Sequence, residues 1–514
     1  MLKGIVRIGA AVAAVAVLSV PAVAQVDPGV RGGPVGAGGP ITSPISPPTT
    51  EEMYLFTEGA RRFNQLEAVC DSCSDVVVGA DTGESPLLAT KTNSSGLGAR
   101  FNADQCAVCH SQPAVGGSGG FVVPNPQDPL SQFLPPENPM FRLIPHRKGG
   151  ANQVPSFIAQ YGPIREARFV RKPDGSPDGG VHQLFTIVGR TDTALTGCTQ
   201  NLLPQPDFEN ELRANNVRFR IPTPLFGLGL VEAIQDQEIL AHHAASAPWR
   251  NHLGIQGIPN RSGNDGTITR FGWKAQNKSL MIFAVEAYNV EMGVTNDGFG
   301  QSTDETPECN GPSKNEFNDI TRTDPDDSRN QSYYNPLHIL PDWLAFANFM
   351  RELAPPTPVS LTQSAVRGKA LFGAGAGGAD PGVGCALCHT PQMTTPRALE
   401  TATLTNRTVN LYSDILVHHM GSKLADGITQ GAAAGDMFRS APLWGVGQRR
   451  FFLHDGRTSD LVTAIELHAS GPHDGCEADG STCYPPSEAN AVVDRFNRLS
   501  TDDKQAIVDF LRSL

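Results

Sequence analysis

The sequence lacks the features that would point to a membrane span or a nucleic-acid partner. After the first 24 residues, no apolar run approaches the ~20 residues that a spanning helix requires. Positive charge is in deficit, because 40 lysines and arginines stand against 52 aspartates and glutamates, a formal net charge of -12 at pH 7. We therefore expect no membrane span and no binding to nucleic acid or to an anionic membrane surface.

The N-terminal residues have the pattern of an export signal. Residues 1–24 combine a basic start, an apolar run over 8–20 and Ala-Val-Ala at 22–24, as in a secretory signal peptide. No cysteine lies near the predicted cut, so we expect no lipid anchor and a periplasmic location. Residues 25–50 are rich in proline, glycine, serine and threonine, which predicts a disordered leader.

Two short stretches carry the Cys-x-x-Cys-His motif that attaches c-type haem. They are Cys106-Ala107-Val108-Cys109-His110 and Cys385-Ala386-Leu387-Cys388-His389. In this motif two thiols add across the haem vinyl groups, and the adjacent imidazole binds the iron from the proximal side. The sequence therefore predicts two covalently bound c-type haems, with His110 and His389 as iron ligands.

The other cysteines bear on the alternatives to haem. A structural zinc site takes four ligands, fewer than the two motifs supply together, and a redox dithiol does not need the following histidine. Six cysteines remain, an even number that suits three disulfides in an oxidising compartment: Cys70, Cys73, Cys198, Cys309, Cys476 and Cys483. We expect the pairs 70–73, 476–483 and, by elimination, 198–309, with a working redox dithiol at 70–73 as the alternative.

The proline-rich segment 354–358 divides the chain and predicts a stiff linker. On each side an apolar helix is expected to end the unit, one opening at Pro341 and one capped near Ser500. The expected fold is mainly α, with two cytochrome c-like haem domains over 51–354 and 355–514. The first domain is enlarged by a loop-rich insertion with some β structure, mostly within residues 116–224.

An internal match between two stretches of the sequence predicts that the two haems differ in the ligand on the distal side of the iron. Residues 271–273 (Phe-Gly-Trp) align with 452–454 (Phe-Leu-His); fourteen residues past Trp273 lies Ala287, and fourteen past His454 lies His468. His468 falls on the buried stripe of an expected helix, so it is the predicted distal ligand of the second iron, with Met420 as the alternative. Alanine cannot bind iron, and a haem with an open position can bind peroxide or dioxygen.

Glu291, close to Ala287 in sequence, is the candidate acid–base group over an open first haem. A carboxyl group there could move a proton between the peroxide oxygens during cleavage. The alternative for Glu291 is a solvated or ion-paired surface glutamate.

The chain also resembles a known family, the bacterial di-haem oxidoreductases once labelled thiol oxidoreductases with two haem sites. It is more distantly similar to the di-haem cytochrome c peroxidases. The similarity covers about residues 53–514 and is carried by the stretches 96–102, 224–234, 271–275, 367–372, 442–447 and 452–457.

This resemblance implies roles for single residues. It implies a bis-histidine electron-transfer haem on His389 and His468, Trp273 as an electron relay between the haems, and Glu291 as the acid–base group. The peroxidases carry a distal histidine soon after the first motif, and residues 111–117 contain none. That departure favours a first haem that is permanently open.

Together these observations predict a periplasmic di-haem oxidoreductase of peroxidase type. Electrons would pass from the second haem to the first, and a small soluble cytochrome or cupredoxin would be the electron-exchange partner. Two alternatives stay open: an oxygenase or oxidase of an organic or protein substrate, and an electron carrier without substrate chemistry. A thiol oxidoreductase role rests only on Cys70, Cys73 and the old family label.

Overall fold

The computed structural model describes residues 27–32, 42–65, 100–119, 138, 140–141, 152–186, 204–294, 296, 340–375, 381–397, 399, 401–471, 474 and 483–514. The predicted signal peptide lies outside these ranges, as do Cys70, Cys73, Cys198, Cys309 and Cys476. Cys483 is disulfide-bonded; its predicted partner lies outside the described residues, so the pairing stays a prediction. None of the described helices is long and apolar enough to cross a membrane.

Within these ranges the chain is mostly helical, with small sheets. The α-helices are α1 (Thr50–Phe63), α2 (Cys106–Cys109), α3 (Phe208–Arg213), α4 (Leu228–Ala233), α5 (Asp236–Leu253), α6 (Leu280–Met292), α7 (Asp342–Glu352), α8 (Gln363–Phe372), α9 (Leu461–Glu466), α10 (Asn490–Asn497) and α11 (Thr501–Ser513). The strands are β1 (Arg100–Phe101), β2 (Glu166–Phe169), β3 (Val181–His182), β4 (Phe185–Thr186), β5 (Val217–Arg220), β6 (Met393–Thr394), β7 (Thr408–Val409), β8 (Val417–His419) and β9 (Met437–Arg439).

The strands pair into small antiparallel sheets. The three-stranded sheet has the order β3-β2-β5, and the two-stranded sheets are β1-β4, β6-β7 and β8-β9. In the three-stranded sheet Glu166 lies opposite Arg220, and Ala167 lies between Phe219 and His182. Strands β2 to β5 all fall in the predicted insertion, which therefore contains the β structure expected there.

Each half of the chain contains a pair of packed helices, α1 on α7 and α8 on α11. Both pairs meet at a glycine: a methyl group at Gly59 would overlap the carbonyl oxygen of Ala345, and one at Gly368 would overlap that of Ala506. Glycine is required at both positions because the two backbones approach too closely for a side chain. The helices predicted to open at Pro341 and Ser500 are α7 and α11, which begin directly after those residues.

The predicted internal match extends to local backbone structure. In 271–273 and in 452–454, the phenylalanine amide donates to the carbonyl six residues later, at 3.0 and 2.9 Å. The middle residue of each stretch is left-handed, with φ of +82° and +68°. Eight residues after each phenylalanine, Ser279 and Asp460 cap α6 and α9. Two segments of different sequence thus build the same turn and the same helix start.

Parts of the predicted disordered leader are bound to the folded chain. Asp27 accepts hydrogen bonds from the Arg512 guanidinium at 2.7 Å and from the Leu461 amide at 2.9 Å. The Ile45 amide donates to the Glu352 carbonyl at 2.7 Å. The expectation of disorder is therefore wrong for 27–32 and 42–49, because specific polar contacts attach them to the folded chain.

The two halves share part of their apolar interior. The largest buried cluster is built from residues before 355, but it also includes Leu411, Leu416 and Trp444. A second cluster lies almost wholly after residue 355 and includes Ile255 from the first half. This mutual burial brings residues of the first half next to the second motif.

Candidate haem sites

Two large cavities lie in the interior, one at each Cys-x-x-Cys-His motif. Cavity 1, which Cys106, Cys109 and His110 help to line, has a free volume of about 1260 Å³ counted with its opening. Cavity 2, lined in part by Cys385, Cys388 and His389, has about 1390 Å³. The two motifs line separate cavities, so they do not form one joint zinc site.

Backbone carbonyls orient the imidazoles of both motifs. Nδ1 of His110 lies 3.0 Å from the Gly117 carbonyl oxygen, and Nδ1 of His389 lies 3.0 Å from that of Tyr412. A ring that donates its Nδ1 proton to a carbonyl leaves Nε2 free to bind a metal. Burial lowers the pKa of each imidazole to about 4, so both rings are neutral at pH 7, the form that binds iron.

The four motif thiols are free, not joined in disulfides. Burial raises the pKa of Cys385 to about 12 and that of Cys109 well above its usual value. Thiol–disulfide exchange needs a thiolate, which such surroundings disfavour. The motifs are therefore poor redox dithiols, whereas two thiols beside a neutral imidazole on a large cavity suit haem.

Two buried arginines on the wall of cavity 2 provide a further test of fit. Nε and one terminal nitrogen of Arg449, and one terminal nitrogen of Arg439, are buried and have no hydrogen-bond partner among the described residues. Burial lowers the pKa of both groups to about 10, so they stay charged at pH 7. Buried cations call for an anionic partner. The two propionate carboxylates of a haem meet that requirement, so the residues present fit the group.

His468 and Met420, the two candidates for the second face of the iron, both line cavity 2. Nδ1 of His468 lies 2.7 Å from the Ala464 carbonyl oxygen, and burial lowers the pKa of the ring. His468 also lies near enough to His389 to lower the pKa of that ring, after the larger effect of burial. The structure thus brings both candidates to one cavity, and the choice of His468 stays a prediction.

His418 also lines cavity 2, but both of its ring nitrogens are engaged. Nδ1 lies 2.8 Å from a Glu488 oxygen, and Nε2 lies 3.1 Å from an Asp414 oxygen. Burial alone would lower its pKa, yet the Cys388 thiol and the Asp414 carboxylate raise it well above the usual value. His418 is therefore a buried cation held by carboxylates, not a free ligand.

Trp273 stands between the two sites: of the described residues, it alone lines both cavities. Its Nε1 donates to the Ile221 carbonyl at 2.8 Å. Its ring meets that of His454 edge-on, with centroids 6.4 Å apart. The buried Trp273 indole contacts both cavities, so it lies on a short path between them.

Cavity 1 differs from cavity 2 on the wall away from its motif. Ala287 lines it from α6, at the place that His468 takes after α9. Among the described residues, His110 is the only histidine that lines cavity 1. Sulfur ligands are nearby, since Met140, Met292 and Met350 also line it.

Glu291 lies on the wall of cavity 1, at the end of α6. Its Oε2 accepts from the Asn102 side chain at 2.8 Å, and the Glu166 carboxyl group lies close enough to affect its pKa. Burial, and then the charge of Glu166, raise the pKa of Glu291 well above its ordinary range. Glu291 therefore lines the cavity in surroundings that favour its protonated form, and it is not a solvated surface glutamate.

Sequence reasoning missed Glu166 and its neighbour Arg168, which lie in the insertion. They are separated by one residue on β2, so both side chains point to one face of the strand. Arg168 Nε lies 2.5 Å from Glu166 Oε1. The alternation Glu-Ala-Arg-Phe was the available signal. Sequence reasoning also missed Arg439 and Arg449, because no local sequence pattern predicts that these arginines are buried.

Each cavity is lined by two thiols and an oriented imidazole, which are the groups that hold a c-type haem. The two cavities together are typical of a protein with two haems. A family described as "Di-haem oxidoreductase, putative peroxidase" matches residues 175–514, about two thirds of the chain. The chain belongs to this family, and it is accordingly an oxidoreductase with two haems. The matched range includes the second motif, Trp273 and Glu291, whereas the first motif and Glu166 precede it.

Solved structures give weaker similarities. A MauG-like protein associated with microbial copper homeostasis is 16% identical, with a TM-score of 0.26, over 50% of this chain and 77% of that one. A variant of the diheme peroxidase BthA from Burkholderia thailandensis is 13% identical, with a TM-score of 0.23, over 68% of this chain and 94% of that one. Curated protein sequences give no match.

Proposed function

We propose that this oxidoreductase is an exported, periplasmic enzyme that reduces peroxide, with haem bound covalently in both cavities. The observation that carries the proposal is the unequal pair of cavities joined by Trp273. His468 lines cavity 2 together with the motif residue His389, whereas in cavity 1 the corresponding position on α6 is Ala287. A haem supplies iron that exchanges single electrons and, where a position is open, binds a small oxidant.

The residues that would hold the haems are those of the two motifs. Cys106 and Cys109 would form the thioether bonds in cavity 1, with His110 on the iron. Cys385 and Cys388 would do so in cavity 2, with His389. The repeated helix pairs and turns support two cytochrome c-like domains, over 51–354 and 355–514.

Electrons would enter at cavity 2 and leave through Trp273. Two imidazoles suit cavity 2 to electron transfer, because a doubly ligated haem changes oxidation state without binding substrate. Trp273 lines both cavities and is buried, which shortens the path through protein. The donor would be a small soluble cytochrome or cupredoxin that gives one electron at a time.

Glu291 would supply protons in cavity 1. Reduction of hydrogen peroxide to two waters takes up two electrons and two protons, so the site needs a proton donor that keeps its proton at neutral pH. The raised pKa of Glu291, caused by burial and by Glu166, provides one. General acids of this kind contribute roughly 10²–10⁴-fold to a rate.

The test is peroxide-dependent oxidation of a reduced small c-type cytochrome by the haem-loaded protein, followed together with its electron paramagnetic resonance spectrum. We expect turnover and a high-spin signal that peroxide abolishes. An all-low-spin spectrum with no turnover would indicate a plain electron carrier and would overturn the proposal. Oxygen uptake with an organic substrate, without peroxide turnover, would instead indicate an oxygenase.

A further inference from the structure

Asp27, in the segment 27–32 that precedes α1, is anchored to the half of the chain that contains the second motif. Both of its carboxylate oxygens lie 2.7 Å from nitrogens of the Arg512 guanidinium on α11. Oδ2 also accepts from the Leu461 amide and Oδ1 from the Gly29 amide, each at 2.9 Å. The side chains of Asp27 and Arg512 are both buried, only 6% and 5% exposed. These contacts occupy nearly all the acceptor positions of the carboxylate.

The first half of the chain contains the same arrangement, made from its own residues. Glu232, on α4, accepts from the Leu280 amide at 2.8 Å and from Arg351 Nε at 2.7 Å. Leu280 is the first residue of α6, and Arg351 lies in the last turn of α7. In the same way, Leu461 is the first residue of α9 and Arg512 lies in the last turn of α11. In both halves a carboxylate thus joins the start of one helix to the end of another.

The two arginines also correspond in their packing. A methyl group at Gly229 would overlap the Arg351 carbonyl oxygen, and one at Gly447 would overlap that of Arg512. The first residues of α6 and α9 each lie nine residues after the phenylalanine of the matched turns. The two arrangements are therefore equivalent parts of the internal repeat.

The two carboxylates come from different places in the chain. Helix α4 continues past Gly229 and presents Glu232 from its last turn. The corresponding turn of the second half ends at Gln448, and residues 448–452 contain no aspartate or glutamate. The second half therefore lacks an acidic residue of its own at this place, and Asp27 supplies the carboxylate from the N-terminal segment.

The contact with α9 leads directly to cavity 2. Leu461, Ala464 and His468 all line this cavity. Nδ1 of His468 lies 2.7 Å from the Ala464 carbonyl oxygen, so the position of α9 sets the direction of the imidazole. Asp27 binds the first amide of that helix. Asp27 itself does not line the cavity, so it acts on the imidazole through α9.

Arg512 also contacts a second part of the cavity wall. Its guanidinium donates to the Gly447 and Arg449 carbonyl oxygens at 3.2 and 3.1 Å, and it lies 5.2 Å from the centre of the Phe452 ring. Arg449 and Phe452 line cavity 2. Among the described residues, Asp27 is the only carboxylate that pairs with Arg512. Its removal would leave a buried cation without its anion, which is strongly destabilising.

We propose that Asp27 is a positioning residue of the second haem site, which completes the repeat and holds α9 so that His468 faces the iron. The proposal rests on the haem in cavity 2 and on His468 as its ligand, both part of the proposed function, and not on the reduction of peroxide. Asp27 precedes the range 175–514 that the family matches. The N-terminal segment is thus a working part of a site built mainly from the second half.

The experiment compares Asp27→Ala with the wild-type, haem-loaded full chain by hydrogen–deuterium exchange and by electron paramagnetic resonance. We expect the amides of 461–468 to exchange roughly 3- to 10-fold faster, the effect of losing one hydrogen bond. The low-spin signal that His468→Ala removes should also be weakened in Asp27→Ala, because the imidazole is no longer held in one direction. Asp27→Asn keeps an acceptor for the Leu461 amide and should retain more of this signal.

Glu232→Ala is the matched control, since it removes the equivalent carboxylate from the first half. It should speed exchange over 280–291 and leave both 461–468 and the low-spin signal of the second haem unchanged. Equal changes over 461–468 in the two variants would overturn the proposal, because they would indicate a general loss of stability. An unaltered low-spin signal in Asp27→Ala would also overturn it, since Asp27 would then only stabilise the helix.

If Asp27→Ala does not fold, Asp27→Asn replaces it, and its exchange and its signal must change in the same direction. An unchanged spectrum in His468→Ala would overturn the role of Asp27, because there would be no ligand to position. A wild-type protein that fails to reduce peroxide, in variants of which these changes are still seen, would contradict the proposed peroxidase activity and support the role of Asp27. The two hypotheses therefore fail separately.

Discussion

The two cavities use the same attachment chemistry and differ in what faces it. Around cavity 2 the wall carries His468 and the unpaired cations Arg439 and Arg449. Around cavity 1 it carries Ala287 and the carboxyl pair of Glu166 and Glu291. In the proposed function, the wall of cavity 2 serves electron exchange, and the wall of cavity 1 supplies protons.

The comparison shows that one repeated backbone carries two different cavity walls. The turn before α6 and the turn before α9 have the same hydrogen bond, and the middle residue of each is left-handed. The difference between the walls comes from single side chains on this shared frame and from strand β2 of the insertion.

The largest effect is expected from giving cavity 1 the histidine that is the predicted iron ligand in cavity 2. In Ala287→His an imidazole would enter cavity 1 from α6, where Ala287 already lines the space. We expect the high-spin resonance signal to disappear and peroxide turnover to fall to background. Ala287→Leu is the control of similar bulk; turnover lost equally in both variants would point to blockage of the cavity instead of ligation.

The second way is to remove the ligand from cavity 2. In His468→Ala we expect the second haem to become high-spin or to take a new ligand, with a shifted potential and much slower donor oxidation. Met420→Ala should leave the spin state unchanged. The reverse pattern in the two resonance spectra would assign the ligand to Met420.

The third way is to weaken the connection between the cavities. Trp273→Phe keeps an aromatic ring but removes the indole and its hydrogen bond to Ile221. We expect electron transfer between the haems to slow by about tenfold, roughly 1.4 kcal/mol in barrier, in stopped-flow absorbance. Trp444→Phe is the matched control, because Trp444 is buried but lines neither cavity. Equal rates in the two variants would remove the relay role of Trp273.

The smallest expected effect concerns stability and tests the protonated state of Glu291. Its pKa is raised in the folded protein, so folding takes up a proton at pH values between the unfolded pKa of about 4.3 and the folded pKa. The free energy of unfolding should therefore fall as pH rises from that value towards the folded pKa, by at most ~1.4 kcal/mol per pH unit for one proton. Glu291→Gln should flatten this slope in denaturant titrations; an unaltered slope would contradict a neutral Glu291.

The sequence predicted much of the frame, for identifiable reasons. The helices at Pro341 and Ser500 follow from capping residues and apolar spacing, which are local. The match between 271–273 and 452–454 could be detected because each stretch lies the same number of residues before a helix cap. This spacing is kept although the residues themselves differ. The leader was mispredicted, because its binding depends on Asp27 meeting Arg512 at the other end of the chain.

The sequence alone determined the chemistry of the two five-residue motifs, 106–110 and 385–389. Two thiols and an imidazole at a set spacing need only local backbone to lie on one wall, so both haem motifs were readable without a structure. The opposite walls were decided by tertiary structure. Glu166 and Glu291 lie 125 residues apart in the sequence but line the same cavity, and Trp273 reaches cavity 2 only because the two halves share their interior. Long-range packing, not sequence spacing, places the two carboxyl groups beside one cavity and the two arginines beside the other.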